Sequence, residues 1–265
     1  MASFMSLIEA VDLIGDGAHV GFGGTSTKLK PVAFAAALAE LGRRGLELTT
    51  LLGSIEVDVL SRSGSLGTVR AAYVGFDLAG PASVYERALR AGVITRIEHS
   101  EFTLTAGLKA AGQGLPFGIV RSMQGTDLAD EIGLKWISCP YTGGRFLAVE
   151  AIRPDVAVLH APAATTSGAV IGARRPDSVA GYDVLIARAA RTVVVTVEEI
   201  LASDRQDESS SVTLLPFEVD AIVLCPGGAS PTGCPGSYGI DYGAFADSAL
   251  AGWPRLPRPR DEGIV

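Results

Sequence analysis

Asp16-Gly17-Ala18-His19-Val20-Gly21-Phe22-Gly23-Gly24, continuing through Thr25 to Pro31, is the stretch on which the fold reading turns. A short apolar run ends in two glycines, and a proline follows that suits the first turn of a helix, so the segment reads strand, turn, helix. Outward from it the same rhythm continues. Strand-like runs are expected at 48–52, 69–76, 93–98, 156–160, 192–197 and 221–225. Helices are expected from Pro31, with Gly45 as the C-cap glycine, and at 81–91, 101–113 and 181–190. Ser6-Leu7-Ile8-Glu9 has the form of a capping box opening a first helix. Strands alternating with helices point to an α/β fold with an open, mostly parallel sheet flanked by helices.

Residues 117–152 break that rhythm. Alternating strand-like pieces flank the turn Tyr141-Thr142-Gly143-Gly144, so a small antiparallel hairpin insertion is expected beside the main sheet. Residues 202–211 are polar without periodicity and read as a loop. No repeat or linker divides the chain, which reads as one domain over 1–252 and a Pro/Arg-rich tail over 253–265.

Composition narrows the function classes. The 265 residues carry a formal net charge of −7, with 48 % hydrophobic and 19 % charged residues. That acidic balance, with only Lys28, Lys30, Lys109 and Lys135 as lysines, argues against nucleic acid. No apolar run reaches the length of a membrane span and the N-terminus has no basic region before its apolar residues, so a cytoplasmic location is expected. Cys139, Cys225 and Cys234 lack CxxC spacing, and His19, His99 and His160 lie far apart, so no metal site is expected. His160, on an apolar strand, reads as a satisfied core histidine. Cys225 reads as inert and Cys234, in a glycine-rich loop, as the thiol open to reaction.

The Gly23-Gly24 turn admits two readings. It is a tight structural turn, or it lets backbone N–H groups approach an anion or thioester carbonyl beside a helix N-terminus. A dinucleotide fingerprint fails, because Ser26 stands where the third glycine belongs and no acid closes the strand at 48–52. A phosphate-binding Walker loop fails for want of Gly-Lys-Ser/Thr. Glu98-His99-Ser100-Glu101, at a strand end and helix start, likewise admits two readings. It is an N-cap with Ser100 as cap, or an acid–base group with Glu98 as general base.

In these residues the chain resembles the α (A) subunits of class I CoA-transferases, including the glutaconate and 3-oxoacid types. Asp16, Gly17, Gly23, Gly24 and Pro31 match that family's first signature, with Thr25 in place of the usual phenylalanine and Leu29 in place of a later glycine. Colinear matches follow at Tyr73-Val74-Gly75-Phe76, Gly114-Leu115-Pro116-Phe117, Gly125-Thr126-Asp127, Pro140-Tyr141-Thr142-Gly143, the run from Pro154 to Ala161, Val195–Ile200, and Pro226-Gly227-Gly228. The resemblance implies the α/β fold of that superfamily, a partner β subunit (αβ or α2β2), and a coenzyme A thioester as substrate with no bound cofactor.

It also implies that the nucleophile is a glutamate in a Ser-Glu-Asn-Gly motif of the β subunit. No such motif occurs here; Ser100-Glu101-Phe102-Thr103 is the nearest string. The substrate-binding residues implied are Gly23, Gly24 and Thr25, with acyl-pocket walls at Phe76, Phe117, Thr165 and Ser167. Ala164–Ala169 lacks the Asp and Gly-Asn often found there, so a different acyl group is expected. Glu98-His99-Ser100 also looks similar to α chains of ring-opening hydrolases of steroid-derived CoA thioesters. A C–C hydrolase or decarboxylase using Glu98 is therefore the alternative to transfer, and a non-catalytic scaffolding chain the third possibility.

Overall fold

The computed structural model describes residues 2–172, 181–202 and 212–245. The polar stretch over 203–211 and the tail over 253–265 lie outside the described residues, as does the domain boundary at 252. After β1 (Ser3–Phe4), Ser6 opens α1 (Leu7–Asp12) with the expected capping box: its hydroxyl accepts from the Glu9 amide while its own amide donates to Glu9 Oε2 at 2.8 Å. The βα alternation then runs through β2 (His19–Thr25), α2 (Val32–Leu41), β3 (Leu46–Gly53), α3 (Ile55–Ser63), β4 (Leu66–Val74), α4 (Ser83–Arg90), β5 (Thr95–Glu98) and α5 (Glu101–Gly112). An excursion follows, with β6 (Phe117–Val120), α6 (Asp127–Glu131), β7 (Lys135–Ser138) and β8 (Arg145–Glu150). The chain returns through β9 (Val156–Thr165), β10 (Val170–Ile171), α7 (Gly181–Ala189), β11 (Thr192–Leu201), β12 (Val212–Leu214) and β13 (Ala221–Leu224).

The main sheet has the order β1-β13-β11-β9-β2-β3-β4-β5, all parallel, with β10 and β12 joined antiparallel at its margin. The strands are apolar on both faces because both are covered. One core joins Val20, Phe22 and Leu48 to Phe34, Leu38 and Leu60 beneath α1–α4; the other joins Leu51, Val195 and Ile222 to Leu104, Leu108 and Ile186 beneath α5 and α7. The excursion forms a separate antiparallel sheet, β6-β8-β7, one strand more than a hairpin.

Two local expectations are corrected. Gly42, at φ 75°, is the C-cap of α2, and Gly45 lies beyond it in the turn into β3. Helix α3 has no counterpart in the sequence reading. Ile55 through Ser61 are all buried, charged residues included, so the helix shows no apolar stripe from which a 3.6-residue period can be read.

Candidate active site

Open α/β sheets bind ligands outside the carboxyl ends of their strands, where the strand order reverses. Here that place is β2 beside β9. The β2 strand ends in Gly23-Gly24, and the following residues double back in a tight turn. Thr25 and Lys28 exchange two backbone hydrogen bonds of 2.9 and 2.8 Å. The turn is clamped from several sides. Its Ser26 amide donates to Leu52 O, and its Ser26 hydroxyl donates to Asp77 just past β4. Leu29 donates to Gly233 O and Gly233 donates to Thr27 O, so the loop after β13 is laced to it. Ser26, Leu29 and Asp77 all have positive φ (45°, 53° and 49°), a region costly for side-chain-bearing residues and found mostly where function requires it.

Gly24 is required by its own backbone. At φ 69° a Cβ would meet the Leu29 carbonyl oxygen and come within 2.6 Å of Lys28 O. Its amide donates to Asp183 Oδ1 of α7 at 2.7 Å. At Gly23 a Cβ would run into Leu159 and lie 2.6 Å from the same Asp183 oxygen. Beneath the turn lies an ion pair without solvent contact: Lys30 Nζ is 3.0 Å from Glu56 Oε1 and donates to Thr50 Oγ1 at 2.8 Å. Both side chains are fully buried. Glu56 accepts in addition from the Ser54 amide.

A second cluster stands midway along β9 and β11, beside the loop that follows β13. His160 Nε2 lies 2.8 Å from Glu198 Oε1, and Nδ1 lies 2.8 Å from Thr196 Oγ1. Glu198 also accepts from the Tyr238 hydroxyl at 2.6 Å and the Gly227 amide at 2.7 Å. Burial alone would raise the Glu198 carboxyl, but these donors outweigh it and hold it below the usual carboxylate range. Glu198 Oε1 accepts from His160 Nε2, while the Thr196 hydroxyl beside Nδ1 donates to Leu159 O at 3.1 Å. The expectation of a satisfied core histidine matches this arrangement. Cys234, which reads from the sequence as the reactive thiol, is instead buried beside this carboxylate; desolvation and then the Glu198 charge push it up to about 11, as they do Cys225. The sulfur is a thiol at neutral pH.

The Glu98-His99-Ser100-Glu101 quartet sits at the far edge, where β5 enters α5. Glu98 is half-exposed and paired with Arg96 at 2.6 Å. His99 is buried, with Arg70 donating to Nε2 at 3.1 Å and Nδ1–H directed at Thr103 Oγ1 at 3.1 Å. Burial, then the Arg70 charge, lowers it to about 4. Ser100 caps α5, its capping box completed by Thr103.

The acyl-wall candidates are dispersed. Phe76 is fully buried against Phe245, ring centroids 5.7 Å apart. Phe117 lies exposed on β6. Thr165 bonds Ser167 through their hydroxyls at 2.8 Å, and a Cβ at Gly168 in that turn would lie 3.2 Å from Ala2 and 3.6 Å from Pro216. Ala2 and Pro216 precede β1 and β13, so this turn, at the end of β9, packs against the segments that lead into those two strands. Sequence reasoning missed Asp183, Asp77 and the Lys30–Glu56 pair. None belongs to a local motif; only the tertiary fold brings them to the turn.

The parallel sheet flanked by helices, with a glycine turn at the strand-order reversal, defines an open α/β protein with its candidate site at the carboxyl edge. Solved structures share that architecture. The chain superposes on a variant of the decarboxylase AibA/AibB with a TM-score of 0.85 and 34 % identity, covering 94 % of this chain and 92 % of that one. It superposes on glutaconate CoA-transferase from Acidaminococcus fermentans with a TM-score of 0.84 and 28 % identity, covering 94 % and 84 %. The chain belongs to the Coenzyme A transferase family, whose model matches residues 4–223. It is 31 % identical to the A-type subunit of 3-oxoadipate CoA-transferase from Pseudomonas knackmussii, over 98 % of this chain and 90 % of that protein. It is 34 % identical to an uncharacterised protein of Archaeoglobus fulgidus over 92 % of its own length, and spans 54 % of that longer relative.

Proposed function

We propose that this chain is the A-type subunit of a heteromeric, cytoplasmic CoA-transferase-like enzyme. It moves CoA between an acyl-CoA and a carboxylic acid, with the nucleophilic glutamate supplied by a β-type partner. The observation that carries this reading is the match of almost the whole chain to the A-type subunit of a transferase, joined to a carboxyl edge whose own carboxylates are committed elsewhere. Glu198 accepts three hydrogen bonds from His160, Tyr238 and Gly227, and Glu98 is held by Arg96. In this reaction a glutamate carboxylate attacks the thioester carbonyl, expelling CoA thiolate and leaving an acyl–glutamyl anhydride. The thiolate attacks the glutamyl carbonyl, releasing the acid and leaving a CoA thioester on the enzyme; the second acid reverses the sequence. This chain contributes the rigid frame against which that carbonyl is placed: the Gly23-Gly24 turn with Asp183, and the loop after β13 held by Glu198.

The test is reconstitution. Expressed alone, the chain is expected to transfer no CoA; co-expressed with its β-type partner, it is expected to do so. Robust turnover by the single chain overturns the proposal. The likeness to the decarboxylase AibA/AibB favours one second reading, decarboxylation of an acyl-CoA bearing a free carboxylate. Carbon dioxide release without consumption of an acceptor acid distinguishes it from transfer.

A further inference from the structure

His160, Glu198 and Cys234 bring an imidazole nitrogen, a carboxylate oxygen and a sulfur together: one such atom of each lies within 4.8 Å of the others. Among the described residues this is the place where three metal-ligating side chains converge. They come from β9, β11 and the loop after β13, so no spacing in the sequence announces them. Each is held by a neighbour. Glu198 turns Oε1 to His160 Nε2 at 2.8 Å, while the Gly227 amide donates to Oε2 at 2.7 Å. The Thr196 hydroxyl gives its proton to Leu159 O, so its oxygen can accept from His160 Nδ1, 2.8 Å away. An outer hydrogen bond of that kind is what orients a metal-ligating imidazole, with the other ring nitrogen turned to the ion. Cys234 heads a tight turn, its carbonyl accepting from the Ser237 and Tyr238 amides at 2.9 and 3.0 Å. The Tyr238 hydroxyl at the end of that turn stands 2.6 Å from Glu198 Oε1.

We propose that His160, Glu198 and Cys234 form a zinc site that clasps the loop after β13 onto the sheet. The donors select the metal: thiolate and imidazole suit a softer divalent ion such as Zn²⁺, whereas Mg²⁺ and Ca²⁺ take oxygen shells. One nitrogen, one oxygen and one sulfur give three corners of a tetrahedron, with the fourth beside the Tyr238 hydroxyl. To admit the ion, the contact between Nε2 and Oε1 opens by about half an ångström, since zinc sits at about 2.0–2.2 Å from such atoms. The Cys234 thiol loses its proton to solvent, and the His160 ring keeps a proton on Nδ1, toward Thr196. His160 and Cys234 are buried, which suits a closed structural site rather than a hydrolytic one. The neighbouring Gly233 accepts from Leu29 and donates to Thr27, so a clasp at Cys234 also steadies the turn after β2.

The experiment uses the full chain, alone and co-purified with its β-type partner, stripped with a chelator and reloaded with Zn²⁺, Co²⁺ or Mg²⁺. Zn²⁺ is expected to bind this chain in equimolar amount and to raise its Tm, and Mg²⁺ to leave the Tm unchanged. Co²⁺ is expected to give the charge-transfer absorption of a cobalt–thiolate bond. Cys234→Ser is expected to abolish that absorption and to weaken Zn²⁺ binding by at least about tenfold. Thr196→Val, which touches no metal, is expected to weaken it by about tenfold while keeping the cobalt absorption. Circular dichroism of the metal-free variants checks that they are folded, and Thr196→Val carries the comparison of affinities if Cys234→Ser does not fold. Absence of the cobalt–thiolate absorption in the wild type, which needs no variant to fold, overturns the proposal. So does equal stabilisation by Mg²⁺, or Zn²⁺ binding that survives undiminished in Cys234→Ser or in Thr196→Val.

Discussion

The Gly24 amide and the Asp183 carboxylate, 159 residues apart in sequence, meet at 2.7 Å and tie the turn after β2 to helix α7. Asp183→Ala leaves a buried amide without an acceptor and is expected to cost about 1–3 kcal/mol, whereas Asp183→Asn, which keeps an oxygen there, costs less. Gly24→Val is expected to lower the unfolding temperature as well as activity, because its Cβ meets the carbonyls of Lys28 and Leu29. Urea and thermal unfolding of the three variants check this order.

The Lys30–Glu56 pair gives a sharper contrast. Lys30→Met strands a fully buried carboxylate and is expected to cost about 3–5 kcal/mol, a fall of roughly 10 °C in Tm. Lys30→Met combined with Glu56→Leu removes both charges and is expected to recover much of that loss. A double variant no better than the single one would show that the two charges are not coupled.

His99 sets an acid limb on stability. Its folded value near 4 lies below its ordinary 6.5, so between these values the unfolded chain binds a proton that the folded one does not. The stabilisation is complete above about pH 6.5 and is lost as the pH falls through 4, amounting to about 2–3 kcal/mol between pH 7 and 4.5. His19, lowered chiefly by burial, acts in the same direction. In His99→Gln the urea midpoint is expected to fall less between pH 7 and 4.5 than in the wild type.

Glu98→Gln separates transfer from the alternative chemistry. Glu98 is half-exposed and bound to Arg96, so its loss is expected to change stability by less than about 1 kcal/mol and to lower transfer modestly. A fall of about 10²–10⁴-fold in kcat in a folded complex would mark Glu98 as the general base and favour the hydrolase or decarboxylase reading.

The sheet was legible in the sequence because each of its long strands is a short apolar run bounded by glycine, proline or polar residues. Phe22, Leu48, Val158 and Val195 face cores on one side or the other, and burial on both faces writes itself as continuous hydrophobicity. Helix α3 was not legible, since Glu56 and Asp58 disguise a buried helix as a polar one. Their charges are answered by Lys30 and by the amides of Val84 and Tyr85, far away in sequence. The Gly23-Gly24 turn was found by its glycines, but its purpose was not. Asp183 sits on a helix whose sequence gives no sign that one side chain reaches back to β2. Cys234 reads as exposed in a glycine-rich loop, and only the fold over it shows the sulfur to be enclosed.

The seam between β2 and β9 has a consequence for how the chain is made. On one side β2 pairs with β3, which follows at once; on the other, Val20-Gly21-Phe22 awaits Val156-Ala157-Val158. At 5–20 residues per second the ribosome needs roughly 7–30 s to deliver those residues. Throughout that interval the nascent N-terminal half carries an uncharged, apolar open edge, the kind that recruits other chains. Completion of β9 closes the edge from within, so the newborn polypeptide depends on timely synthesis, or on a chaperone, to keep β2 for itself.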